Sequence, residues 1–343
     1  MRRETILKIY CSSLAFALVS IALTGNAHAH SVSSEASAAH SNTTLESKTS
    51  TIEQLLERYS LQGDDRLLDI AEQKIARDQR DTSPEQLLQK AWLAQAAHRF
   101  EQAQEILERL LAAQPGNGQA WLLNAAVYSV VGQTEKARSA CGRVVLNVSP
   151  TAGTICFATL AATTEEKTAA YKGLERLPQT TEHSRLNAWR WSVHGQLAQD
   201  LGMTEQAEQL YRQSLDSFAA VQTRTALIDL LIWQGRYREA LTLTSGLQRV
   251  PAIAVRQLVA RKQIGQNILH DVETMDRQFQ RWLKEKDFRH AREMTLFYLD
   301  IKNQPKMAFR CAQMNAKMQR EAQDISLLER ATENLHGRSA KRT

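Results

Sequence analysis

The sequence predicts an all-α fold built from repeated antiparallel helix pairs. The 343 residues include only 6 prolines and 14 glycines, residue types that punctuate all-β chains far more often. Good helix formers, chiefly Gln, Ala, Leu, Glu and Arg, dominate the middle and the C-terminal part of the chain. Alanines recur there at steps near 34 residues, a period typical of stacked two-helix units.

The first 29 residues have the pattern of a signal peptide. Arg2, Arg3 and Lys8 precede an apolar run at residues 12–23, and small residues occupy the cleavage positions of Ala27–His28–Ala29. The run is shorter than the roughly 20 residues of a membrane-spanning helix. We therefore expect a cleaved signal peptide and a periplasmic protein, with an uncleaved anchor as the alternative.

The remaining chain divides by composition. Half of positions 31–50 are Ser or Thr, so this stretch buries too little apolar surface to offset its ordering entropy. Ser50–Thr51 with Glu53 forms a capping-box pattern, and Ser83 with Pro84 marks another helix start. The predicted segments are a signal peptide (1–29), a disordered linker (30–50), N-terminal helices (51–83), regular repeats (84–250), divergent helical repeats with a capping helix at residues 324–335 (251–336), and a basic tail (337–343).

The repeat is clearest when residues 121–141 are aligned with residues 191–211. In both segments a glycine follows the tryptophan by eleven residues, and an alanine follows that glycine by five. Gly235 and Ala240 repeat the second spacing. The full alanine ladder has steps of 34, 33, 37 and 33 residues: Ala103, Ala137, Ala170, Ala207 and Ala240.

This pattern resembles the tetratricopeptide repeat over residues 84–250. The residues at the signature positions are, repeat by repeat, Leu87, Ala91, Ala103, Leu107 and Pro115; Trp121, Ala125, Tyr128, Gly132 and Ala137; Ala158 and Ala170 in a degenerate copy; Trp191, Gly195, Ala198, Gly202, Ala207 and Tyr211; and Leu227, Leu231, Gly235, Tyr237 and Ala240. The resemblance implies a right-handed α-solenoid of antiparallel helix pairs. Small residues then let the two helices approach, and the turn glycines adopt positive φ.

The resemblance also implies a concave groove lined by the first helix of each pair. Helical periodicity predicts eight partner-binding residues there: Trp92, Leu122, Val130, Trp189, Gln196, Gln199, Ile232 and Trp233. Aromatic anchors set among amides suit a peptide-binding surface. For each tryptophan the alternative is a place in the core between repeats.

We found no sequence pattern for catalysis or for binding a metal or cofactor. The sequence lacks HExxH, CxxC, GxSxG and phosphate-loop motifs, so we expect no enzyme activity, no cofactor and no metal. A hydrolytic or metal-dependent enzyme, the alternative, requires two or more of five histidines to converge in one pocket: His98, His183, His194, His270 and His290. We expect His194 instead to be packed and hydrogen-bonded within a helix pair.

Three cysteines remain after the signal peptide. Cys141 and Cys156 are one helix-to-helix step apart, so they either form a disulfide or are two small buried side chains. Cys311 is then left free and buried.

Together these features predict a non-catalytic protein–protein interaction scaffold of the bacterial cell envelope. The expected partner is a segment of another envelope protein, bound in the groove. A scaffold for exopolysaccharide synthesis or export, with a polysaccharide as partner, is the alternative by analogy. The net charge of +6 is too mild to indicate nucleic acid.

Overall fold

The computed structural model describes residues 50–77, 83–161, 166–178 and 184–339. The predicted signal peptide, all of the predicted linker except Ser50, and residues 340–343 of the predicted tail lie outside this part of the chain. The described residues form seventeen α-helices and no strand. The helices are α1 (Ile52–Gln62), α2 (Arg66–Arg77), α3 (Pro84–Ala96), α4 (Phe100–Ala113), α5 (Gly118–Val130), α6 (Thr134–Asn147), α7 (Pro150–Ala161), α8 (Lys167–Glu175), α9 (Ser184–Asp200), α10 (Thr204–Ser217), α11 (Val221–Trp233), α12 (Tyr237–Thr242), α13 (Pro251–Gln263), α14 (Leu269–Glu285), α15 (Ala291–Leu296), α16 (Pro305–Met318) and α17 (Ala322–Ser339).

Side chains define the predicted helix starts. The Thr51 hydroxyl accepts a hydrogen bond from the backbone N–H of Gln54, whose side chain accepts one from the N–H of Thr51. The reciprocal partner is thus Gln54 and not Glu53, because the third position of the helix is the one that reaches back to the cap. Ser83 caps α3, with Pro84 at its first position, as predicted.

The two helices of each pair differ in burial. Every residue is buried at positions 122–128 of α5, 192–199 of α9 and 225–232 of α11. Seven or eight consecutive residues span about two turns, so these first helices are buried on all sides. The second helices bury one stripe only, which in α10 consists of Ala207, Tyr211 and Ser214. The solenoid therefore has an inner layer of first helices and an outer layer of amphipathic second helices.

The small residues act as predicted. Ala103, Ala137, Ala207 and Ala240 are fully buried, whereas Ala170 of the degenerate copy is only partly buried. The turn glycines Gly132, Gly202 and Gly235 have φ values of +77°, +77° and +78°. At Gly195 a β-carbon would lie 2.8 Å from Cδ1 of Tyr211, so only glycine allows α9 and α10 this close.

The helices after Pro251 pack against the end of the regular repeats through α13, which contacts α11 and α12. Val255 and Leu258 of α13 share an apolar cluster with Phe279 and Phe297 from the C-terminal helices. An ion pair joins α11 to α13: Arg256 donates to both carboxylate oxygens of Asp229 at 2.6 and 2.7 Å. Burial raises the pKa of Asp229 to about 6 even though Arg256 opposes that shift.

Cys141 and Cys156 form a disulfide that joins α6 to α7, with their Cα atoms 5.5 Å apart. The same two helices approach closely at Gly153, where a β-carbon would collide with the side chain of Val145. Cys311 is free and buried.

We expect Gly195→Ala to lower the free energy of unfolding by about 1–3 kcal/mol, because the added methyl group overpacks the contact with Tyr211. Gly142→Ala is the matched control. This glycine lies inside α6 with open space around it, so alanine should stabilise the helix by about 0.5–1 kcal/mol. Urea denaturation measures both, and equal effects of the two substitutions would contradict the packing argument.

The double variant Cys141→Ala/Cys156→Ala should lose about 3 kcal/mol of stability, since the bond closes a loop of 15 residues. Thermal unfolding with and without reductant measures this loss. Reductant should bring the parent protein close to the variant and leave the variant unchanged. A parent protein that is insensitive to reductant would show that the bridge contributes nothing.

Candidate functional site

Seven of the eight predicted groove residues are buried. Trp92, Leu122, Val130, Trp189, Gln196, Gln199 and Ile232 are each no more than 6% exposed, and Trp233 is partly buried. They lie on the first helices, as predicted, but these helices form the inner layer and not an open surface. In this arrangement their side chains are packed in the interior of the protein. That they bind a partner stays a prediction.

The predicted groove amides bind within their own helix pair. The Tyr211 hydroxyl donates to Oε1 of Gln199 at 3.0 Å and approaches Oε1 of Gln196 at 3.4 Å. The Gln196 amide donates to Asp200 at 3.0 Å. These two glutamines therefore fix α10 against α9.

The N-terminal helix α1 covers part of the inner layer. It packs against α3 on one side and α11 on the other. Glu57 of α1 forms an ion pair with Arg185 at the start of α9, and Glu53 accepts a hydrogen bond from Gln89 of α3. Beyond α1, Gly63 lies against Val250, so the start of the solenoid contacts residues almost two hundred positions later.

The connection between α16 and α17 covers the ends of α3 and α5. Gln319 has extended backbone angles, and its side-chain amide lies 2.8 Å from Nδ1 of His98. The backbone N–H of Arg320 donates to the carbonyl of Val130 at 2.7 Å. The side chain of Arg320 lies over Gly132. We call residues 319–320 the docked segment.

A cavity of about 110 Å³ lies where these parts of the chain meet. Its walls come from the turn after α1, the turn after α3, the starts of α11 and α13, and the region just before and within α15. The lining is polar and strongly charged, with Asp65, His98, Arg289, His290 and Glu293 among its residues. The walls thus join residues that are far apart in sequence.

The two histidines of the cavity have opposite pKa shifts. Burial, together with the neighbouring charges of His290 and Arg292, lowers the pKa of His98 to about 3. Burial also acts to lower the pKa of His290, but Asp65, whose carboxylate lies 2.7 Å from Nε2, outweighs it and raises the pKa. His98 is therefore neutral, while His290 favours its charged form beside Asp65.

The enzyme hypothesis requires two or more of five histidines to line one pocket. Among those that the structure describes, His98 and His290 line the same cavity. His194 is packed as expected, with its ring 4.2 Å from that of Tyr171, and burial lowers its pKa to about 4. Its Nε2 atom has no hydrogen-bond partner among the described residues, so the expectation of a hydrogen bond was wrong. His270 is exposed on α14, and His183 lies outside the described residues. Within the described ranges no three metal-ligating side chains cluster.

The comparison with protein families supports the architecture. Residues 94–148, from the end of α3 to the residue after α6, match the family model described as tetratricopeptide repeat. This part of the chain therefore matches the tetratricopeptide repeat, whose all-helical fold is typically a non-catalytic interaction scaffold. No curated protein matches the sequence. None of the helices that the structure describes is both long and apolar enough to cross a membrane.

Sequence reasoning missed the docked segment and the cavity. Each depends on contacts between residues more than 180 positions apart, which no local spacing encodes. One signal was available in the sequence, since Arg256, Arg289 and Arg292 belong to a region rich in basic residues with interspersed acids. Each of the three is ion-paired, to Asp229, Asp287 and Asp324 respectively.

We expect acid to destabilise the parent protein more than a His98→Asn variant. The pKa of His98 falls from 6.5 to about 3 on folding, so between these values the unfolded chain binds a proton that the folded chain does not. Stability is then lost as pH falls, by at most about 1.4 kcal/mol per pH unit. Asparagine tolerates the positive φ of 58° at this position.

Urea denaturation of both proteins at several pH values between 7 and 4 tests this difference. His290 titrates in both proteins, and its raised pKa contributes stability that is lost as pH rises, so the two effects have opposite signs. Parallel stability curves would show that His98 does not control the acid response.

Proposed function

We propose that this protein is a scaffold that binds a short extended segment of another bacterial envelope protein at the ends of its first helices. The docked segment carries the proposal, because here the chain holds such a segment of its own. A backbone N–H of the segment pairs with the end of α5, and a side chain of the segment pairs with the turn after α3. A partner segment of the same chemistry would use the same groups.

These contacts follow the general physics of recognising an extended peptide. Main-chain hydrogen bonds hold such a peptide without regard to sequence, and side-chain contacts select among sequences. The Val130 carbonyl supplies the first kind of contact. His98 and the surface over Gly132 supply the second.

Export to the periplasm is part of the proposal. The signal-peptide pattern of residues 1–29 supports it, and so does the disulfide between Cys141 and Cys156, because such bonds persist mainly in oxidising compartments. The polysaccharide alternative gains no support from the predicted groove. Trp92 and Trp189 are 3% and 1% exposed, so neither offers a ring face for stacking on a sugar.

Photocrosslinking in intact cells tests this function. A photoreactive residue at Gln133, beside the docked segment, or at the partly buried Trp233 should give one dominant protein adduct. The same residue at Glu108, on the exposed face of α4, is the control and should give none. Gln319→Ala with Arg320→Ala should increase the Gln133 adduct severalfold, because the competing segment is weakened.

Two outcomes would contradict the proposal. The first is the absence of a dominant adduct from Gln133 and Trp233 in a folded, exported protein. The second is an identical adduct pattern from Glu108, which would show contact without selectivity for the ends of the first helices.

A further inference from the structure

The turn after α3 has a histidine at the position that glycine occupies in other repeats. The turns after α5, α9 and α11 are centred on glycines with positive φ. The turn after α3 closes with the same backbone hydrogen bond, from the N–H of Arg99 to the carbonyl of Ala94 at 2.8 Å, but here His98 takes a φ of +58°. Glycine adopts positive φ at little cost, whereas a residue with a β-carbon pays for it, and such residues are often functional. We therefore looked for a role of the imidazole that glycine cannot fill.

The imidazole of His98 forms a side-chain contact with the docked segment. Nε2 of the Gln319 amide lies 2.8 Å from Nδ1 of His98. Arg292 sets the orientation of that amide, because its guanidinium donates to Oε1 of Gln319 at 3.1 Å. A guanidinium can only donate, so the oxygen of the amide faces Arg292 and the NH₂ group faces His98. Nδ1 of His98 therefore accepts the hydrogen bond and carries no proton.

A proton on Nδ1 of His98 would turn this contact from attraction into repulsion. Both ring nitrogens of a charged imidazole are donors, so two N–H groups would then face each other. Rotation of the Gln319 amide offers no escape, since it would place the NH₂ group against the guanidinium of Arg292. The docked segment thus requires the neutral form of His98.

The surroundings of His98 act in the same direction. Burial is the largest cause of its low pKa, the charges of His290, Arg292 and Arg289 add to it, and Asp65 acts against them. Charged side chains reach the cavity beside His98 from three parts of the chain: Asp65 after α1, Arg256 of α13, and Arg289, His290, Arg292 and Glu293 just before and within α15. After Gln319 the chain continues with Arg320, which lies over Gly132, and Glu321, which pairs with Arg292.

We propose that protonation of His98 releases the docked segment, so that mild acid opens the ends of α3 and α5 to a partner. The released ring meets water and regains an ordinary affinity for protons, so docking is strongest above about pH 6.5 and weakens as the pH falls. His290 has the opposite sign, because its charged form favours the pair with Asp65. Asn315 of α16 donates to Asp324 of α17, so these two helices stay joined when the segment leaves.

The proposal adds a regulation to the partner site and rests on the proposed function only for the partner, since release itself needs none. Hydrogen exchange at the backbone amide of Arg320, read by mass spectrometry on the whole protein, reports docking, because this amide donates to Val130. After correction for the intrinsic exchange rate, its protection should fall by up to about 25-fold between pH 7 and pH 5, for a pKa of about 6.5 when released and about 3 when docked. The amide of Met203, which closes the glycine turn after α9, should keep its protection.

Three variants separate the role of His98 from other effects of acid. His98→Asn tolerates the positive φ and offers Oδ1 as an acceptor that does not titrate, so its Arg320 protection should not change between pH 7 and pH 5. His98→Gly has the residue of the other turns but no acceptor, so its Arg320 protection should be low at both pH values. His270→Asn removes an exposed histidine of α14 and should respond as the parent protein does.

Three results would overturn the proposal: constant Arg320 protection in the parent protein, an equal loss with acid in His98→Asn, or a joint loss at Arg320 and Met203, which indicates global unfolding. The profile of the parent protein decides the question even if neither His98 variant folds. Crosslinking at Gln133 tests the partner separately. An Arg320 amide that responds to acid through His98, without any adduct at Gln133, would support the switch and contradict the proposed function.

Discussion

The complete burial of the first helices is the constraint on which the rest of this structure depends. A helix buried on every side needs neighbours on every side, and stacking of repeats supplies only some of them. Helix α1 and the docked segment supply others by covering the inner layer. The small residues on the first helices follow from the same constraint, since Gly195 gives the Tyr211 ring the room it needs.

Alongside the apolar packing of Leu55 and Leu56, polar contacts join the covering elements to distant parts of the chain. Asp65 with His290, Glu57 with Arg185, and Gln319 with His98 are hydrogen bonds or ion pairs between distant parts of the chain. Such contacts depend on geometry and protonation more than apolar packing does, and the net stability they add is small. The structure therefore combines a firmly packed set of repeats with polar contacts between distant parts of the chain, two of which involve histidines with shifted pKa values.

The repeat was predictable from the sequence because its signature residues contact each other within a single helix pair. Ala137 and Gly132 belong to one helix pair, and their chemistry follows from the turn and crossing that they occupy. The buried state of Trp189 was not predictable, since the same spacing places a tryptophan on an open groove or under a covering helix. Glu293 had no sequence signal at all, because a lone carboxylate on a helix is usually solvated and its burial depends on residues from other parts of the chain.

The hydrogen bond from Arg320 to Val130 has a consequence for the order of folding. It joins residues 190 positions apart, and the His98–Gln319 contact spans 221. Helix pairs with local contacts form quickly, whereas contacts of such separation wait for the closure of a long loop. During synthesis and folding, the ends of α3 and α5 therefore remain open until nearly the whole chain has been delivered, and a partner present at that stage meets them before the chain's own segment does.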